Sequence, residues 1–241
     1  MEWNPPLKPA ETAENHLIDA IIEGHFPIGS TLPAERELAS RMGVTRPTLR
    51  EALQRLGRDG WVEIHHGKPT RVRDYWHEGN LGVLGAIARR SQNLPADFVP
   101  NLLFVRQLMA PAYARLAVQR QPEQLVAQLA PQAQLEDTPE AFAVFDWELH
   151  HLLTVLSGNP IFTLILNGFR ELYHPMACLY FESQTARARS RDFYTRLLEA
   201  AKAGDPEMAE ATTRSVMQDS LTLWRQAVPV ENISLASNCT P

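Results

Sequence analysis

The sequence predicts a mainly α-helical protein: an N-terminal winged helix-turn-helix with a small β wing, followed by a C-terminal all-α antiparallel helical bundle. Three observations predict it. Two short amphipathic patterns, Pro33 to Gly43 and the one opening at Thr45, are separated by Val44 alone. Apolar residues alternate with a period of two only around residues 62–72. From Phe98 to Trp224 every pattern is helical, with breaks at Gln121-Pro122, Asp137-Thr138-Pro139, Gly158-Asn159-Pro160 and Gly204-Asp205-Pro206.

Residues 11–25 place Leu17, Ile18, Ile21 and Ile22 on one side and Glu14, Asp19 and Glu23 on the other, which is a first helix. A turn-rich stretch follows, and Pro33 opens a second helix that stops at Gly43. Thr45 is a good N-cap, Pro47 is tolerated in a first turn, and Leu49, Ala52, Leu53 and Leu56 recur as one buried face. Arg46, Arg50 and Arg55 occupy other positions, with Arg46 and Arg50 on neighbouring turns away from the leucines. Two short helices joined so tightly form a helix-turn-helix whose second helix reads DNA. Val62, Ile64, Thr70 and Val72 alternate around His66-Gly67-Lys68-Pro69, which predicts two strands and a tight turn, a wing that also carries Arg71 and Arg73. Any one of these arginines alone reads as a solvated surface charge; their joint placement on helix and wing favours a DNA face.

The expected boundaries are residues 1–74 for the winged head, 75–97 for a linker with one helix from Gly82 to Arg90, 98–227 for a bundle of six or seven helices, and 228–241 for a disordered tail. In the bundle, Leu102, Met109, Tyr113 and Leu116 make an inward stripe interrupted by Arg106, which needs an internal carboxylate or an anionic ligand as partner. Thr213, Met217, Ser220 and Trp224 make a second stripe. Tyr173 and Tyr180 share a face of the helix expected to begin near Ile161. Asp146 and His150, four residues apart, have the spacing of a two-ligand metal site; without further ligands they read as a helix-surface or hydrogen-bonded core pair.

With 241 residues, 44% hydrophobic and 21% charged, the chain has the composition of a globular protein with a sizeable core. Its net charge of −5 by itself argues against nucleic-acid binding. Residues 41–73 nevertheless carry eight Lys or Arg against three Asp or Glu, so a basic face sits on an acidic remainder that repels phosphate elsewhere. No apolar run is long enough for a membrane span and no signal-peptide pattern opens the chain, so a cytoplasmic location is expected. Two cysteines are too few for a disulfide framework or a cysteine metal site, and no nucleophile elbow or Ser/His/Asp set marks an enzyme.

Leu32-Pro33-Ala34-Glu35-Arg36-Glu37-Leu38-Ala39, followed by Gly43-Val44-Thr45-Arg46-Pro47-Thr48-Leu49-Arg50-Glu51-Ala52-Leu53, resembles the GntR family of bacterial transcription regulators. The stretch from Gly60 to Thr70, with Asn101-Leu102-Leu103, Ser157-Gly158-Asn159-Pro160-Ile161 and Leu164-Ile165-Leu166-Asn167-Gly168, narrows the likeness to the FadR group of fatty-acid metabolism regulators. It runs from about residue 11 to Trp224. The resemblance implies that Arg36, Thr45, Arg46, Thr48, Arg50, His66, Gly67 and Lys68 contact operator DNA, while Pro47 stands where close relatives have threonine. It implies a long-chain acyl-CoA effector held by Arg106, Tyr180, Ser220 and Trp224, with Arg214 toward the CoA phosphates, and neither a cofactor nor a resident metal. It also implies a homodimer that represses fatty-acid degradation genes and activates unsaturated fatty-acid biosynthesis. The alternative within the family is sensing of a small carboxylate through a metal at Asp146 and His150. In members that bind metal, two further histidines join that pair; here Tyr194 and Val216 stand at the expected positions.

Overall fold

The apolar spacing at the N-terminus produces α1 (Pro9–Ile22), which buries Leu17, Ile18 and Ile21. The protein, seen as a computed structural model, is described over residues 8–65, 67–88 and 97–227. Its chain divides into two compact units, residues 1–90 and 91–241.

In the first unit, α2 (Glu35–Arg41) and α3 (Arg46–Asp59) pack together, and α1 lies against α3. Leu49, Ala52, Leu53 and Leu56 of α3 are buried, the leucines contributing roughly 2 kcal/mol apiece. The Thr45 hydroxyl accepts the Thr48 amide at 3.3 Å and caps the helix start. The helix ends at Gly60, whose φ of 95° is left-handed; a Cβ there would lie 2.8 Å from Gly79 Cα and 2.9 Å from the Glu78 carbonyl oxygen. That approach brings in α4 (Tyr75–Glu78), which the sequence reading missed. Tyr75 covers the enclosed Trp61 with ring centroids 4.7 Å apart.

The wing is β1 (Val62–Glu63) paired antiparallel with β2 (Arg71–Val72), Val62 opposite Val72 and Glu63 opposite Arg71. Ile64, expected inside with Val62, instead lies beyond the strand and is 46% exposed. The ladder is two residues long, so alternation does not carry a third residue inward. The far side of β2 is occupied by residues 29–32: Gly29 N bonds to Val72 O at 2.9 Å, Val72 N to Ser30 O at 2.8 Å and Leu32 N to Thr70 O at 2.8 Å. A stretch read as mere turn therefore completes the sheet edge. The linker helix is α5 (Leu81–Ala88), while Arg89 and Arg90, expected to end it, lie outside the described residues.

The second unit holds α6 (Phe98–Arg120), α7 (Pro122–Leu129), a 3-10 turn (Ala130–Gln134), α8 (Pro139–Leu156), α9 (Pro160–Gly168), α10 (Arg170–Phe181), α11 (Gln184–Ala203) and α12 (Pro206–Ala227). Polar caps mark the starts: Thr138, Asn159 and Ser183 accept the amides of Ala141, Ile161 and Ala186 at 3.1–3.3 Å. The helix expected to run from Ile161 through Tyr180 is in fact two. Phe169 closes α9 and opens α10 with so short a link that the apolar period continues across it. α12 lies along α6 and α11, α8 packs on α6, α9 and α10, and α7 on α11. Ala110, Ala114 and Ala117, enclosed on one face of α6, permit the close approach of its neighbours.

Candidate functional site

The outer side of α3 is a cationic surface. Arg36, Thr45, Arg46 and Arg50 are exposed and Thr48 is half-buried beneath them. α3 has no acidic residue in its first turn and carries Arg46 at its first position, so its positive end is left for an external anion to compensate. Thr45 and Thr48 also share a 2.8 Å hydroxyl contact. Arg50 is held, its Nε donating to Glu35 at 2.7 Å across the turn, whereas Arg46 makes no ion pair among the described residues. At the wing, Gly67 has a φ of 74° and stands exposed beside Lys68. His66 lies outside the described residues.

The second place is a cavity inside the bundle of the second unit, about 870 Å³ of empty space with its mouth included. Its wall is mostly apolar, with Leu102, Met109, Leu166, Phe169, Met176 and Trp224 among the lining side chains. Arg106, Tyr113, Asp146, Tyr173, Tyr180 and Ser220 supply the polar part. Arg106, the cation in the apolar stripe, finds its partner 40 positions away: its Nη2 donates to Asp146 Oδ2 at 2.6 Å. The guanidinium lies over the Tyr173 ring, and the Tyr173 hydroxyl donates to the same oxygen. Tyr194 donates to Asp146 Oδ1 at 2.9 Å. Burial by itself would raise the Asp146 carboxyl; the facing Arg106 and the donated hydrogen bonds bring it below the ordinary carboxylate range. Burial, reinforced by Arg106, pushes the enclosed His150 imidazole down to about 3, so it is neutral at pH 7. Its Nδ1 meets the Tyr113 hydroxyl at 2.7 Å.

The metal alternative meets this arrangement directly. A cation at Asp146 would have to displace a guanidinium and two tyrosine hydroxyls, and His150 Nε2 lies 3.8 Å from Asp146 Oδ1 without hydrogen bonding to it. The expected hydrogen-bonded pair is therefore replaced by two separate partnerships. Tyr194, at a position where the metal alternative expected a histidine, is a donor to the carboxylate. Among the described residues no group of three His, Cys, Asp or Glu side chains could hold an ion.

A family model described as bacterial regulatory proteins of the gntR family matches residues 9–72, and the FadR C-terminal domain model matches residues 73–231. The chain belongs to the FadR group of GntR regulators. Similar family members include the fatty acid metabolism regulator proteins of Shewanella pealeana, 43% identical over 226 residues covering 92% of this chain and 95% of that one, and of Shewanella denitrificans, 45% identical over 218 residues covering 90% and 91%. Among solved structures, Lar of Listeria monocytogenes superposes with a TM-score of 0.62 at 19% identity, covering 92% of this chain and 99% of that one, a likeness of fold.

Of the residues expected at an effector site in this FadR-group chain, Arg106, Tyr180, Ser220 and Trp224 line one cavity, and Tyr180 Oη donates to Ser220 Oγ at 3.4 Å. Arg214 does not line it. It is exposed and pairs with Glu210 at 2.6 Å. Sequence reading did not find Asp146 as Arg106's partner or Tyr194 as its donor, because no local spacing links α6, α8 and α11. Tyr113 was visible only as a core stripe residue.

Proposed function

We propose that this chain is a homodimeric, operator-binding transcription regulator of fatty-acid metabolism that releases DNA when a long-chain acyl-CoA enters the bundle. The observation that carries it is a mostly apolar cavity, with Arg106, Tyr180, Ser220 and Trp224 on its wall, in a chain whose curated relatives are named for fatty-acid metabolism. An apolar lining of this kind suits an acyl chain, while the few polar groups at its wall suit the thioester end. On the other unit, Arg46 and Arg50 suit guanine O6 and N7 in the major groove, Thr45 and Thr48 suit phosphates, Arg36 and Lys68 add charge, and a glycine at the wing tip, Gly67, suits close approach to the minor groove. Two such readers on a two-fold axis fit a palindromic operator. The effector then works by favouring a dimer whose two readers no longer match the half-sites.

We read the protein as a cytoplasmic binding protein, not an enzyme: Asp146 is occupied by its donors and the cavity tyrosines are raised by burial, so neither is a ready base. Among the described residues no helix is long and apolar enough to cross a membrane. The test is operator-length DNA binding by the purified chain at one fixed salt concentration, with and without oleoyl-CoA. Release by micromolar oleoyl-CoA and none by free CoA is the expected result. Tight binding that oleoyl-CoA leaves unchanged would refute the switch, and acyl-CoA cleavage on prolonged incubation would refute the non-enzymatic reading.

A further inference from the structure

Glu35 is an acidic residue on the surface that the reading above gives to DNA. It opens α2 beside the exposed Arg36, and its carboxylate accepts from Arg50 Nε at 2.7 Å across 15 positions of the chain. A carboxylate there repels phosphate, so on a DNA-binding face it weakens every complex through charge alone. Two structural duties do not account for it. The positive end of α2 already has Glu37 in its first turn. An ion pair whose carboxylate and guanidinium side chains are 33% and 58% exposed adds little to stability in water.

The geometry of the pair suits a different duty. Glu35 is the less exposed partner and stands at a helix start, while Arg50 is the longer and freer side chain. The contact uses Nε alone. Among the described residues neither Nη1 nor Nη2 of Arg50 makes a hydrogen bond, so the N–H donors at the tip of the guanidinium stay open. Those donors are enough for the bidentate contact to guanine O6 and N7. Arg46 makes no ion pair among the described residues, so it lacks this support. We propose that Glu35 is a positioning residue for operator reading: it holds the side of the Arg50 guanidinium and presents the two terminal nitrogens to one guanine. The rotamer freedom that Arg50 would lose on reaching a base is then already lost in the free protein. This rests on the operator-binding reading above and names the residue that sharpens it.

The probe is a duplex selected by the wild-type full chain from a random-sequence pool, compared with unrelated DNA of equal length at one fixed salt concentration. Glu35→Ala removes the hold and the charge together. It is expected to reduce the ratio of selected-duplex affinity to unrelated-DNA affinity about tenfold, part of what one bidentate base contact supplies, while binding to unrelated DNA holds or strengthens. Glu35→Asp keeps the charge and suits a helix start, but its carboxylate is one methylene short of Nε. It should lose a similar factor with binding to unrelated DNA unchanged. In both variants the lost discrimination should fall at the base pair whose identity ceases to matter in Arg50→Ala. A ratio unchanged in Glu35→Ala overturns the proposal, and so does one that Glu35→Asp keeps in full, because charge alone would then suffice. A ratio that rises would mean that Glu35 competes with the base, and equal losses on both DNAs would mean a structural role; either overturns it too. If the wild-type chain selects no sequence, or if Arg50→Ala keeps the full preference, the operator reading of Arg50 falls and this falls with it. Should Glu35→Ala fail to fold, Glu35→Asp decides alone.

Discussion

His150 sits enclosed between the Tyr113 hydroxyl and the ring of Phe193, stacked at 16° with centroids 6.1 Å apart. Its pKa near 3 in the folded protein lies below that of a histidine in the unfolded chain, about 6.5. The unfolded state therefore binds a proton that the native state refuses, and stability falls as pH drops from 6.5 toward 3. Between pH 7 and pH 5 this one residue should remove about 2 kcal/mol. In urea unfolding, His150→Phe should lose about that much less than the wild type over the same interval; equal losses would mean that His150 protonates freely in the folded chain. Asp146 works in the same direction at lower pH, because its carboxyl is held below the ordinary value and its contribution is lost as pH falls through that folded value. At this scale the sequence was partly informative. An arginine inside an apolar stripe demands a partner, so Arg106 could be singled out, but nothing in the spacing points 40 positions ahead to Asp146.

Among the elements, the start and the buried face of α3 are legible, with Thr45 as cap and Leu49, Ala52, Leu53 and Leu56 inward, while its stop at the left-handed Gly60 shows only in the structure. The close approach of residues 78–79 at Gly60 makes this glycine obligatory. Gly60→Ala should destabilise the first unit by about 2 kcal/mol or more, through positive-φ strain and contact with backbone. Thermal melting should show that loss while oleoyl-CoA affinity stays within twofold; an unaltered melting profile would mean that the chain relaxes there without penalty. Elements that lack periodicity were not legible. Residues 29–32 join the wing through backbone hydrogen bonds, and α4 is four residues long, too short to display a helical period. The break between α9 and α10 was hidden for the opposite reason, since the apolar pattern runs straight through it.

For the whole molecule, the proposal couples two sites on different units. Arg50→Ala should abolish the preference for the operator over unrelated DNA of equal length, seen in competition binding, and leave oleoyl-CoA affinity intact; loss of both would indicate misfolding. Reciprocity adds a second check: operator DNA must weaken oleoyl-CoA binding by the same factor by which oleoyl-CoA weakens operator binding, and unequal factors would exclude a simple two-site switch. The sequence by itself determined the helical class, the helix-turn-helix with its basic residues and four of the breaks between bundle helices, because each is written in neighbours within a turn or two of one another. Only the tertiary structure decided that Arg106 pairs with Asp146, that two tyrosines from α10 and α11 complete that site, and that Arg214 stands apart from the cavity. Those contacts join helices far apart in the chain, where burial and charge compensation, not local periodicity, choose the partner.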